Sequence, residues 1–191
     1  MKKLASATSI ILHPFSITPI VFTILAYGTN IREVNHFHYL ITLLFSTIIP
    51  FITFLILKKL KYISDYNITI RYERVLPLYL SSIYFLFGYL ILYKLDANIM
   101  IQGLMFCYTV NTFIVALITK FWKISLHAIS LSGPLTALWI QGFQHPIIMS
   151  FLVFCVCLSR WFLKAHTKSQ VIGGTLFAIF FTYIELYFYL N

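Results

Sequence analysis

Residues 99–119 read IMIQGLMFCYTVNTFIVALIT and carry no charged side chain from end to end. Roughly 20 apolar residues are what a helix needs to cross a bilayer core, where every backbone N–H and C=O must find its partner inside the segment. The stretch therefore reads as a membrane-crossing helix. The same test applied in both directions finds further runs at about 7–27, 39–57, 75–93, 124–140, 147–163 and 171–190. Pro14 and Pro19 should bend the first run and Gly133-Pro134 should kink the fifth. Only Lys94 to Asn98 separate the third and fourth runs, so these form a tight hairpin, and Gly173-Gly174 lets another backbone approach the seventh. The expected fold is all-α: a polytopic membrane helix bundle of about seven transmembrane helices, or six. It forms a single integral membrane domain over residues 1–191 with no repeat or soluble insertion.

Composition agrees. With 60% hydrophobic and 10% charged residues the chain lacks the polar surface of a soluble domain, and 19 Phe with 13 Tyr suit lipid contact and interfacial rings. The net charge of +9 is confined to short links, so it points to topology and anionic headgroups rather than to nucleic acid. Lys2, Lys3, Lys58, Lys59, Lys61, Arg71, Arg74, Lys120, Lys123, Arg160, Lys164 and Lys168 fall on one side of the expected bundle, and only Arg32 and Lys94 on the other. By the positive-inside rule the rich side, with the N-terminus, is cytoplasmic; the expected location is the inner membrane of a bacterium. Met-Lys-Lys before an apolar run resembles a signal peptide, but the prolines, the length of the run and the lack of a small-residue cleavage pattern favour an uncleaved helix. Cys107, Cys155 and Cys157 lie inside apolar runs and read as reduced packing residues.

Histidine near lipid is costly unless paired or in a polar pocket. His13, His36, His38 and His145 stand at run edges or in links, where an interfacial or solvated role suffices. His127 and His166 both stand near cytoplasmic helix ends beside cations, within reach of one shallow basic pocket. Snorkelling cations around polar helix ends account for such residues in many membrane proteins. The chemical alternative has Arg160 holding phosphate oxygens in its planar fork while one histidine attacks phosphorus and the other protonates the leaving oxygen. A reference pKa of about 6.5 leaves imidazole both forms near neutrality.

Ser159-Arg160, five residues, His166, three residues and Gln170 resemble the third signature of the type 2 phosphatidic acid phosphatase superfamily, S-R-x5-H-x3-D. Ser125-Leu126-His127 is similar to the end of its second signature, P-S-G-H, in the right order and separation. The resemblance covers residues 71–191, the phosphatase-like part; the first two helices carry no motif. It implies a metal-free lipid phosphatase with no cofactor. His166 would be the nucleophile, His127 the proton donor to the leaving group, and Arg160 and Ser125 phosphate-binding residues. The substrate would be a lipid phosphate or diphosphate drawn from the surrounding membrane lipids.

Three departures stand out. Gln170 occupies the place of the aspartate that orients the nucleophile; its carbonyl still accepts the imidazole N–H but stabilises an imidazolium less. Leu126 replaces a glycine. The first signature, K-x6-R-P, is absent as such, with Arg71 and Arg74 before Pro77 as substitutes and Lys123 as another; charge balance with Glu73 is the plainer role for the two arginines. Ser132-Gly133-Pro134 has the letters of the second signature in the wrong order and lacks its histidine. Two other readings stay open: a non-catalytic relative that binds a phosphorylated lipid or a partner, and a small transporter, for which Asn111 and Glu185 inside apolar runs leave room. Glu185 has no evident partner in the sequence.

Overall fold

The computed structural model describes residues 2–28 and 35–191 and contains no strand among them. Arg32, one of the two cations expected on the far side, lies outside the described residues.

Helix α1 (Lys2–Ile11) and helix α2 (Pro14–Tyr27) form one apolar pair bent by 45°. The bend falls at Pro14, which opens α2 where its missing N–H costs nothing. His13 caps that helix: its Nδ1 accepts the Phe15 amide at 3.3 Å. Pro19 lies inside α2 without ending it. Helices α3 (His36–Leu43) and α4 (Ile49–Lys59) make one continuous span, His36–Lys59, joined by a π-helical turn at Leu44–Ile48. Pro50 has no N–H to offer the Ser46 carbonyl, and the widened turn, with the Ile49 amide reaching back to Leu44, absorbs the defect.

Helix α5 (Val75–Lys94) and helix α6 (Ile99–Thr119) form the expected hairpin, and Asn98 caps α6 by accepting the Met100 amide at 2.9 Å. Helices α7 (Leu126–Ile140), α8 (Pro146–Phe162) and α9 (Lys168–Leu190) complete the bundle. Among the described residues four spans are long and apolar enough to cross a membrane, and the bent α1–α2 pair makes a fifth if it counts as one span; α7 and α8 are apolar but shorter. All seven apolar runs are thus helical, and the two short helices carry His127 near the start of one and Arg160 near the end of the other. Helix α7 continues through Gly133-Pro134, with Thr136 Oγ1 donating to the Ser132 carbonyl at 2.9 Å.

The principal packing pairs are α5 with α6, α7 with α9, α6 with α9, α1 with α8, and α2 with α7. Phe22, Leu25, Leu104, Met105, Leu131 and Leu186 fill the interior. The outside is apolar as well, with Phe87, Phe113, Ile147, Phe154 and Phe180 exposed, a surface that fits lipid and not water. This is a helical membrane bundle. Within it Glu185 finds a partner that sequence reading did not supply: Asn111 Nδ2 donates to its Oε2 at 2.9 Å, and also to Thr182 Oγ1 at 3.3 Å.

Candidate functional site

The arginine and histidine that end α8 are brought together by the way that helix stops. Lys164 adopts a left-handed conformation, φ 52°, and the Lys164 and Ala165 amides return to the carbonyls of Trp161 and Arg160, a Schellman closure. The His166 amide also reaches the Arg160 carbonyl, at 3.3 Å. The five-residue spacing is therefore what a capped helix end needs to fold His166 back beside Arg160.

Helix α9 then starts at once. Thr167 accepts the Gln170 amide while Gln170 Oε1 accepts the Thr167 amide at 3.1 Å, a reciprocal capping box. The same Oε1 stands 3.2 Å from His166 Nδ1, and the Lys123 carbonyl stands 3.3 Å from that nitrogen. The Thr167 amide identifies the Gln170 atom as an acceptor, and a main-chain carbonyl can only accept. Nδ1 therefore carries the proton and Nε2 the lone pair.

Ser125 caps α7, its hydroxyl accepting the Ala128 amide at 3.4 Å, and its own amide donates to the Gln170 carbonyl at 3.3 Å. This seam joins the starts of α7 and α9. It is close because position 174 is glycine: a Cβ there would lie 3.0 Å from the Ser125 carbonyl oxygen, tighter than nearly all such contacts. Ser125 itself is fully buried behind the cavity wall, whereas Leu126 and His127 line it. Ser159, the first residue of the other signature, is also buried and donates to the Val156 carbonyl at 2.9 Å.

Arg160 and Arg74 are each 3% exposed, and both line the same cavity as His127 and His166. Arg160 Nη1 donates to Ser9 Oγ on α1 at 2.6 Å, which ties α8 to the first helix. Arg74 Nε donates to the Ile68 carbonyl at 2.7 Å. Of the two arginines offered for the first signature, the cavity takes Arg74 and leaves Arg71, whose Nη1 donates to the Lys120 carbonyl at 2.6 Å and secures the loop before α7. Glu73 is engaged elsewhere, accepting the Ser64 amide and hydroxyl, both at 2.8 Å. Lys123 approaches His166 through its backbone carbonyl, and its ammonium is outside the cavity lining.

His13, expected at a solvated edge, belongs to the cavity instead. Its ring meets that of His127 edge to face with centroids 5.0 Å apart. Neither Ser9 nor His13 lies within residues 71–191, and the one local hint was the Pro14 break that turns the chain there.

The cavity measures about 490 Å³ and runs inward from these cations along Phe51, Phe54, Leu78 and Phe85 to Tyr108 and Asn111. Gly133 and Pro134 lie along its deeper wall. Burial, then the charges of Arg74, Arg160 and Lys123, hold the His166 pKa down to about 4, so the imidazole is neutral and nucleophilic across the physiological range. Lys123 is lowered too, by burial and by Arg74 and Arg160. His127 Nε2 and Arg160 Nε are fully buried without a hydrogen-bond partner among the described residues. Among the described residues no group of three or more His, Cys, Asp or Glu is arranged to hold a metal ion. Chemically, the arrangement can bind a compact anion against two buried guanidinium groups and present a neutral imidazole to it.

The fold and cavity define a class, a helical membrane protein with a cation-lined pocket at one end of its bundle. Comparison with protein-family models, curated proteins and solved structures finds no match to this chain.

Proposed function

We propose that this protein is a membrane-embedded hydrolase that removes phosphate from a lipid phosphate or lipid diphosphate, with its site at the cytoplasmic face of a bacterial inner membrane. The observation that carries the reading is His166: both partners of its Nδ1 are acceptors, so Nε2 offers a lone pair beside Arg160 and Arg74. Nε2 attacks phosphorus and the bond from phosphorus to the lipid oxygen breaks; burial and the neighbouring cations hold His127 well below the usual imidazole range, so it takes up a proton only with the phosphate anion bound beside it, and passes that proton to the lipid oxygen. Water then attacks the phosphohistidine with neutral His127 as base, the P–N bond breaks, and inorganic phosphate leaves. The apolar inner part of the cavity suits a hydrocarbon chain.

Purified protein given a panel of radiolabelled lipid phosphates should release phosphate and accumulate an acid-labile phosphoprotein. His166→Ala should abolish both, and Cys155→Ala neither. Full release by the His166 variant overturns the reading. A second reading, a catalytically impaired relative that binds a phosphorylated lipid, draws on Gln170, a neutral group whose carbonyl serves both His166 and the α9 cap. It expects lipid-phosphate binding with no phosphoprotein.

A further inference from the structure

We propose that His13, at the break between α1 and α2, is a further phosphate-binding residue of this site, donating a hydrogen bond from Nε2 to the bound anion; the proposal rests on the phosphate-site reading above. Its Nδ1 is already engaged as acceptor of the Phe15 amide at 3.3 Å. In a neutral imidazole with one nitrogen accepting, the proton sits on the other. His13 is therefore held as an Nε2–H donor. That donor is delivered to the right place. His13 lines the cavity with Arg74, Arg160, His127 and His166, and its ring stands 5.0 Å from that of His127. The position is built rather than incidental: one turn earlier, Ser9 accepts Arg160 Nη1 at 2.6 Å, so the end of α1 is fastened to the cation that would hold the same anion. A capping and packing role alone requires an acceptor at residue 13 but no donor facing inward, and the test separates the two.

Full-length protein in detergent micelles is titrated calorimetrically with orthovanadate, a phosphate mimic, as wild type and as His13→Asn. Asparagine is itself a good N-cap acceptor, so α2 stays capped while the ring is lost. A hydrogen bond to a charged group is worth a factor of about 10 or more in affinity, and a loss of that size is expected. Equal affinities overturn the proposal, and so does a wild type that binds no vanadate. If His13→Asn does not fold, imidazole ¹⁵N spectra of the wild type decide: vanadate must shift His13 Nε2, and a shift at His166 with none at His13 overturns it. A wild type that loses vanadate affinity in His13→Asn yet releases no phosphate from any lipid leaves His13 assigned and removes the hydrolase reading. A working hydrolase whose His13→Asn variant binds vanadate normally does the reverse.

Discussion

Replacing Gln170 by Glu changes one charge at nearly constant shape. The carboxylate oxygen would take the place of an atom now 3.2 Å from His166 Nδ1 and 3.1 Å from the Thr167 amide. Glutamate is as good as glutamine in a capping box and sits well at a helix N-terminus, so the fold should keep its stability. The effect falls on His166. Two unit charges about 4 Å apart at an effective dielectric of about 20 attract by about 4 kcal/mol, which is about 3 pKa units as an upper bound. Water reaching this helix end reduces that, so a rise of about 1–2 units is expected. Burial and three cations hold His166 at about 4 in the wild type, and the carboxylate opposes all of them. The sign matters for function. On the proposed hydrolase mechanism, a raised pKa stabilises the positive form that would develop as Nε2 attacks, so phosphoprotein should form faster near neutrality, while the acid limb of the rate profile moves to higher pH. The check is an NMR titration of the His166 imidazole in both proteins, with phosphate release measured against pH. A His166 titration that does not move refutes the assigned Nδ1 partner, whatever the activity shows.

Gly174→Ala would drive a methyl to 3.0 Å from the Ser125 carbonyl, so that one of the two helix starts must shift by a few tenths of an ångström. Thermal unfolding in detergent should register a loss of about 1–3 kcal/mol, and phosphate release should fall because the start of α7 carries His127. An unchanged unfolding temperature counts against the α7–α9 seam. Asn111→Leu removes the donor that meets Glu185 at 2.9 Å and should destabilise by about 1–3 kcal/mol. Adding Glu185→Leu should restore most of that loss, and a double variant as unstable as the sum of the two singles would refute the pairing.

Legibility in the sequence followed the range of the interaction. Backbone pairing in lipid is a local demand, so uncharged runs such as 99–119 announce their helices residue by residue. Arg160, His166 and Gln170 were legible together because helix capping, also local, sets their spacing. The choice between Arg71 and Arg74 was not, since it depends on which guanidinium the 60–74 loop turns toward the cavity. Ser9 escaped entirely, and His13 was read only as an interfacial or solvated edge residue. Nothing local relates Ser9 to a cation 151 residues away, and the contact exists only once α1 has docked on α8. Glu185 lacked a visible partner for the same reason, its amide donor standing 74 residues earlier on another helix.

The tie between Ser9 and Arg160 also orders assembly. Until α1 lies against α8 the guanidinium of Arg160 lacks the Ser9 hydroxyl that accepts from its Nη1, a costly state if it is held within the membrane. Local hairpins such as α5 with α6 close early because little chain entropy is spent in joining neighbours, whereas a contact across 151 residues closes late. The site is thus complete only once α1 lies against α8. An insertion intermediate holding every other helix would have the histidines His127 and His166 in place while Arg160 remains free to wander.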